Sequence, residues 1–130
     1  MKGGVSAGVN NHGVLLRDYY SIIEDVVIEN TGADGLKITT TNDVGTVTTG
    51  SLVENRINRV TVRNPTGYGM FLGVVDNNKI TDGFVTDCII ATSATSTNHL
   101  FCGSGAGWLF DGIHTYGVQP TGSSIFAGIS

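Results

Sequence analysis

Two carboxylates stand at matching places in two similar stretches of the chain. Glu54 and Asp82 are 28 residues apart, and the apolar residues Ile57 and Val85 that follow them are separated by the same interval. If the stretches stack as neighbouring parallel strands, about 4.8 Å apart, the carboxyl groups lie about 5 Å apart, the separation of a retaining glycosidase pair. Like charges this close raise one pKa and leave a proton donor beside a base. The plainer alternative is two solvated surface carboxylates with Arg56 as a neutralising neighbour.

A second set of charged residues also lies at matching places in the similar stretches, and stacking would place it in one column just past the bend that follows the first strand. It contains Asp25, Arg59, Asp87 and Asp111. Asp25 and Arg59 would pair as opposite charges, which contributes little at an exposed site. Asp87 beside Asp111 could form an acid pair or hold Ca²⁺, because adjacent hard oxygen ligands suit that ion; a relaxed pair at a bend is the alternative. These two aspartates are therefore the alternate candidates for a catalytic pair.

An internal repeat is the basis for both columns. Residues 23–38 read IEDVVIENTGADGLKI and residues 57–72 read INRVTVRNPTGYGMFL, so that Asn30 and Gly35 return 34 residues later. Three fainter copies carry Gly13, Val14 and Leu16; Val85, Cys88, Ile90 and Thr92; and Leu109, Gly112, His114 and Tyr116. The intervals in the glycine column are 22, 34 and 30 residues. A repeat of 20–50 residues with length differences between its copies is typical of a solenoid.

Short strands with alternating side chains account for this pattern. In the first copy Val26 and Ile28 face inward, whereas Val27 and Glu29 face outward. Three such strands per coil fit the spacing, which predicts an all-β parallel solenoid of about four to five coils and a single domain over residues 1–130. The repeated Asn lies at the bend between the second and third strands, where it tolerates left-handed geometry and can bond to the Asn of the next coil.

Composition agrees with this fold and excludes several classes of protein. The 130 residues include 19 Gly and only two Pro, and no stretch long enough for a helix has apolar residues at a helical period. The net charge is −4 and the seven Lys and Arg form no basic stripe, so we predict no nucleic-acid partner. No apolar run approaches the ~18 residues of a membrane span, and no signal peptide is visible, so we predict no membrane insertion.

The pattern I-x-x-V-x-I-x-N followed by G-L-x-I resembles the right-handed parallel β-helix of the pectate-lyase-like superfamily, especially that of bacteriophage tailspikes and related polysaccharide-degrading proteins. The resemblance covers residues 9–128. It implies a polysaccharide ligand, an extracellular or virion-associated location and association as a homotrimer. The Asn-Thr-Asp, Asp-Asp, Gly-His-Gly and Arg-Ile-Lys motifs of polygalacturonases are absent. Residues 125–130 end on an apolar strand without a polar cap, which predicts a segment of a longer chain.

In this superfamily substrate lies along the first strand of each coil, so the outward residues of that strand form the predicted glycan-binding face. Counting from Leu109 as the inward residue of the last coil places Ala106 and Trp108 on this face, in the columns of Asp82 and Phe84. The resemblance thus implies a face that joins the two carboxylates to four substrate-binding residues: Tyr20, Arg56, Phe84 and Trp108.

Three phenylalanines are predicted to face outward on the third strand: Phe71, Phe101 and Phe126. A contiguous apolar strip of this kind often marks an interface. We predict a contact between subunits of the trimer, with stacking on sugar rings as the alternative.

The cysteines and histidines carry no predicted chemistry. Cys88 and Cys102 occupy predicted inward positions, where free thiols act as small apolar side chains, and their spacing is no metal motif. His12, His99 and His114 do not share a column, so we assign them structural roles and predict no resident metal.

The sequence therefore favours a module that binds polysaccharide, with cleavage by a glycoside hydrolase pair as a hypothesis that needs no cofactor. Two alternatives stay open. One is a non-catalytic adhesin or structural β-helix. The other is a polysaccharide lyase with Arg56 as base and Ca²⁺ held by the aspartates.

Overall fold

A computed structural model of the chain describes residues 11–18, 20–39, 52–73, 80–81, 83–102, 105–106 and 108–117. These residues form strands joined by turns and bends, and the described part contains no helix. It therefore has no helix of the length and apolar character that a membrane span requires. The predicted all-β fold is confirmed.

The strands follow the repeat from coil to coil. β1 (Val14–Leu16) precedes the first coil, which contains β2 (Ile22–Glu24), β3 (Val27–Glu29) and β4 (Leu36–Ile38). The second coil contains β5 (Leu52–Val53), β6 (Arg56–Asn58), β7 (Thr61–Arg63) and β8 (Tyr68–Leu72). The third contains β9 (Ile80–Thr81), β10 (Phe84–Thr86), β11 (Ile89–Thr92) and β12 (Asn98–Cys102). The fourth contains β13 (Gly105–Ala106), β14 (Leu109–Asp111) and β15 (His114–Gly117).

Strands from successive coils pair in parallel and build the walls of a right-handed β-helix of about four coils. The first sheet contains β2, β6, β10 and β14, the second β3, β7, β11 and β15, and the third β1, β4, β8 and β12. A short sheet of two-residue strands joins β5, β9 and β13. The three strands per coil are confirmed, and the short sheet is an addition that the repeat pattern does not predict.

The core is made of columns of apolar residues that stack in register. On the second sheet Ile28 pairs with Val62, and Val62 pairs with Ile90; none of the three is exposed to solvent. The first and third sheets add further buried residues to the same core: Ile57, Val85, Leu36, Met70, Ile38 and Leu72. The predicted inward columns of the first three coils are thus confirmed, except at Cys102, which is exposed.

The predicted alignment of the fourth coil is wrong by one residue. Val85 pairs with Phe110, not with Leu109, and Ile90 pairs with Thr115, not with His114. Since side chains alternate along a strand, a shift of one residue exchanges the inward and outward sets. Leu109 is accordingly 51% exposed, whereas Phe110 packs against the core.

Residues in the left-handed backbone region turn the chain at the corners. Asn30 and Asn64 have φ angles of 53° and 49°, and Nδ2 of Asn64 donates to Oδ1 of Asn30 at 3.4 Å. The predicted Asn column is confirmed. Asp25, Arg59 and Asp87 have φ angles of 55°, 51° and 52° at the corner between the first and second sheets.

The glycine column leaves room for the core of the adjoining coil. A Cβ on Gly35 would collide with Cγ1 of Val62 and with the carbonyl oxygen of Gly69. A Cβ on Gly13 would collide with Ile28 in the same way, and a Cβ on Gly69 would collide with Ile90. The conserved spacing of Asn and Gly within this chain therefore has two causes, backbone geometry for Asn and close approach for Gly.

A buried carboxylate secures the turn that leads into the third sheet. Oδ1 of Asp34 accepts a hydrogen bond from the backbone N–H of Tyr68 at 2.8 Å, and Oδ2 lies 3.2 Å from Nδ1 of His12 and 3.7 Å from Nζ of Lys37. Burial raises the pKa of Asp34, but the hydrogen bonds from His12 and Tyr68 and the nearby positive charges outweigh it, so the pKa lies below 3.8.

Val60→Asp should prevent folding, because Val60 is fully buried and an unpaired carboxylate in the core costs several kcal/mol. The neighbouring change Thr61→Asp places the same charge on the outer side of β7 and should leave strand content intact. Circular dichroism and thermal melting compare the two. If Val60→Asp melts like the parent, the assignment of the core is wrong.

Asp34→Asn should lower the free energy of unfolding by about 1–3 kcal/mol at neutral pH, because it removes a buried, hydrogen-bonded charge. A lowered pKa in the folded state stabilises above the ordinary pKa of about 3.8, and this stability is lost as the pH falls through the folded value. The difference between parent and variant should therefore shrink below about pH 4. Urea unfolding at several pH values measures it.

Asp25→Asn provides the control for Asp34→Asn, because Asp25 is an exposed carboxylate whose pKa is also lowered, by its hydrogen bonds to Arg59. Its removal should lower the free energy of unfolding at neutral pH much less than Asp34→Asn does, because solvent screens an exposed ion pair. Equal losses for the two variants would contradict the role given to Asp34.

Candidate functional site

The outer face of the first sheet carries a column of large side chains. Arg56 pairs with Ile22 on one side and with Phe84 on the other, and Phe84 pairs with Leu109. Ile22 is 65% exposed, so the column presents apolar surface to solvent at both ends. Exposed apolar surface of this kind, when contiguous, is typical of a binding site.

Arg56 is held against an aromatic ring within this column. Its guanidinium carbon lies 5.2 Å from the centroid of the Phe84 ring, a distance typical of a cation–π contact. The structure therefore brings together two of the predicted substrate-binding residues on neighbouring coils.

Tyr20 and Glu54 lie at the corner that precedes the first sheet in their coils. Each lies two residues before a paired strand position, Tyr20 before Ile22 and Glu54 before Arg56. Their φ angles are 55° and 54°. Both side chains are exposed, that of Tyr20 to 60%. They occupy one column, as predicted, but Glu54 lies at a bend and not within a strand.

Asn55 fixes this corner from the inside. Its side chain is buried; Oδ1 accepts from the backbone N–H of Ser21 at 3.0 Å, and Nδ2 donates to the carbonyl oxygen of Asp18 at 3.1 Å. The amide therefore joins the segment before β2 to the segment before β6. The sequence analysis missed this residue, although a polar side chain at an inward position between strands is a signal for such a contact.

The predicted catalytic pair is described only in part. Asp82 lies outside the described residues, and of Ala106 only the strand position is described. The separation of the two carboxylates, and with it the glycosidase assignment, stays a prediction. Glu54 itself is a solvent-exposed carboxylate.

Trp108 does not lie on the outer face. It is aligned with Gly83, the residue before Phe84, and its ring covers the position where a side chain on Gly83 would stand. The ring stacks on Phe110 at 5.9 Å and packs against the core, with its Nε1 buried. The outward position expected for Trp108 is wrong, because the fourth coil is shifted by one residue.

The column of corner charges is also changed by this shift. Arg59 binds Asp25 through two hydrogen bonds of 2.6 and 2.7 Å, as predicted, and its Nη2 lies 3.6 Å from Glu24. The hydrogen bonds and the charge of Asp25 raise the pKa of Arg59. Both side chains are exposed, so the pair contributes little to stability.

The fourth member of that column is Gly112 and not Asp111. Gly112 has a φ angle of 62°, close to the angle of Asp87, whose carboxylate covers it. Asp111 pairs with Thr86 in the strand itself. The expected column of Asp87 and Asp111 is therefore wrong, and the described residues contain no group of three or more His, Cys, Asp or Glu placed to hold a metal ion.

The third sheet carries the predicted phenylalanine strip. Phe71 and Phe101 stack with their centroids 4.6 Å apart and their planes 15° apart, and Tyr68 contacts both rings. Nζ of Lys37 lies 5.0 Å from the centroid of Phe71 and covers one end of the stack. Phe126 lies outside the described residues. The strip exists for two of its three members, and its role between subunits stays a prediction.

A small open cleft lies along the corner between the second and third sheets. Its lining consists of neutral hydroxyl and amide side chains from three coils: Asn30, Thr31, Asn64, Thr66, Ser93 and Thr95. Several of these groups bond to one another or to nearby carbonyl oxygens; for example, Oγ1 of Thr66 donates to the carbonyl oxygen of Thr31 at 3.0 Å. The cleft was not predicted, although the Asn column marked its position.

The thiols and imidazoles have structural surroundings. Cys88 is buried, and burial raises its pKa. Cys102 stacks on the inward residue Leu72 but is exposed, which the sequence analysis did not expect. Nε2 of His99 lies 2.9 Å from Oγ1 of Thr92, and His114 is exposed on the second sheet.

The described side chains of the first sheet can bind a ligand, because they combine apolar surface, an aromatic ring and hydrogen-bond donors on a rigid wall. The chain was compared with models of protein families, with curated proteins and with solved structures, and none of the three comparisons gave a match.

Proposed function

We propose that this β-helix is a polysaccharide-binding module of the pectate-lyase-like, tailspike-related type, extracellular or virion-associated. Its ligand would lie along the outer face of the first sheet. The observation that carries the proposal is the set formed by Tyr20, Arg56 and Phe84, which present a phenol ring, a guanidinium group and a second aromatic ring from three successive coils.

The arrangement suits a linear polymer of sugars. Parallel strands present equivalent positions at a constant spacing of about 4.8 Å, and a polysaccharide presents its own units at regular intervals. Aromatic rings offer apolar faces to sugar rings, and Arg56 offers several N–H donors to hydroxyl oxygens. Because β-strands hold the backbone of Arg56 and Phe84, little backbone entropy is lost at these positions on binding.

Binding is favoured over cleavage by what the described residues provide. The lyase hypothesis needs Arg56 as a base, but a guanidinium group stays protonated in proteins, and this one contacts the face of Phe84. That hypothesis also used Asp87 and Asp111 as a column for Ca²⁺, which the register of the fourth coil removes. Of the residues predicted to cleave a glycan, Glu54 and Asp82 are the pair that the hydrolase hypothesis retains.

Tyr20→Ala and Phe84→Ala should each weaken glycan binding about fivefold or more, since a lost aromatic contact costs about 1 kcal/mol. A glycan array first identifies the ligand, and calorimetry then compares the variants with the parent. Tyr116→Ala is the matched control: Tyr116 is similarly exposed, at 54%, but lies on the second sheet. If the control loses as much affinity as the two variants, or the variants lose none, the face is misplaced.

Glu54→Gln and Asp82→Asn test cleavage separately from binding. If the pair is catalytic, each change should abolish release of products from the identified glycan, because neither amide can donate or accept a proton as the acid can. Chromatography of the products measures this. Full turnover by both variants would exclude Glu54 and Asp82 as the catalytic pair without touching the binding proposal.

A further inference from the structure

The charges around the proposed binding face are unevenly distributed. Among the described residues, seven exposed charged side chains lie on the first sheet or at its two corners: Glu24, Asp25, Glu54, Arg56, Arg59, Asp87 and Asp111. Five are carboxylates and two are guanidinium groups, which leaves an excess of three negative charges. The whole chain has a net charge of the same sign, −4.

The two guanidinium groups described on this face both contact other groups of the protein, and the carboxylates outnumber them. Arg59 is bound through two hydrogen bonds to Asp25 and lies close to Glu24. Arg56 is the other guanidinium, and it contacts the Phe84 ring. An anionic polymer would therefore meet carboxylates on both flanks of the column, and it would have to compete with Asp25 for Arg59. Like charges opposed across an interface disfavour a partner strongly.

Cationic polymers are disfavoured for a different reason. Arg56 stands in the middle of the column, between Ile22 and Phe84, where the sugar rings would lie. The flanking carboxylates could attract ammonium groups, but only by drawing them away from the apolar part of the face. The column itself offers apolar surface and N–H donors, which suit hydroxyl groups without charge.

We infer that the ligand of this face is an uncharged polysaccharide and that polyuronates and sulfated glycans are rejected. The inference rests on the proposed function and adds the substrate class to it. Attraction comes from apolar contact and hydrogen bonds along the column, and selectivity comes from the carboxylates that flank it. Binding should consequently show little dependence on salt, because few ions are released when a neutral polymer binds.

Polymers that share a backbone and differ in charge provide the test. Three sets are used: dextran with dextran sulfate and diethylaminoethyl-dextran, methyl-esterified pectin with polygalacturonate, and chitin oligosaccharides with chitosan oligosaccharides. Affinity is measured for each polymer at low and high salt. The neutral member of at least one set should bind about tenfold more tightly than its charged counterpart at low salt, with an affinity that salt leaves unchanged.

The outcomes separate the two proposals. An anionic or cationic polymer that binds more tightly than its neutral counterpart, with an affinity that salt lowers, overturns the inference and leaves the proposed function in place. Failure of every polymer in these sets and of the glycan array to bind overturns the proposed function, and the inference with it.

A double variant tests the electrostatic cause of the selectivity. Asp87→Asn together with Asp111→Asn removes two exposed carboxylates and should shift the ratio of neutral to anionic affinity at least about threefold towards the anionic polymer. Glu29→Gln removes a carboxylate from the second sheet and should leave this ratio unchanged. Circular dichroism checks that both proteins keep their strand content. An unchanged ratio in the double variant would contradict the role given to the flanking carboxylates.

Discussion

Most of the described corners of the β-helix depend on a residue that takes up the left-handed backbone conformation. In the part of the chain that the structure describes, seven residues other than glycine do so, and they include Tyr20, Glu54 and Arg59 with their bulky side chains. Each costs of order 1 kcal/mol or more. Hydrogen bonds between coils offset this cost, because backbone N–H groups at these corners donate to carbonyl oxygens of the adjacent coil. The N–H of Arg59, for example, donates to the carbonyl oxygen of Thr86 at 3.1 Å. The side chains that project from such a corner cannot return to the core, which explains why charged and aromatic groups collect there.

The sequence predicted the first three coils because the repeat sets their register, even where neighbouring residues such as Ile22 and Ile23 are both apolar. Ile57 and Val85 are flanked by polar or outward residues, and the repeated Asn and Gly fix the frame around them. In the fourth coil Leu109 and Phe110 are both apolar, so alternation alone cannot choose between them. Gly112 shares the left-handed φ angle of Asp87, which is the corner residue of the third coil. Aligning Gly112 with Asp87, and not with Cys88, gives the correct register.

The candidate site was predictable where it depends on register and not where it depends on contacts between side chains. The outward positions of Arg56 and Phe84 follow from alternation, but the stacking of one on the other depends on rotamers. Asp34 and His12 belong to a turn in which no residue repeats strictly, so their contact has no periodic signal. Trp108 was misplaced because Leu109 was taken as the inward residue of the fourth coil, whereas the register places the indole inside, where the missing side chain at Gly83 leaves space for it.

The glycine column also determines which part of the chain can act as a unit of duplication. Gly35 is required by Val62, which belongs to the following coil, and Gly69 is required by Ile90 in the same way. The fourth coil has Thr115 in place of the β-branched apolar residue, and the glycine that would face it is replaced by His99. A coil copied or exchanged as a single block therefore fits only where its glycine again meets the β-branched side chain of the following coil. Insertion of coils during evolution, or in protein engineering, has to conserve these pairs of a glycine and the side chain that it faces. Each pair spans two coils, so the unit that can be duplicated extends beyond a single coil.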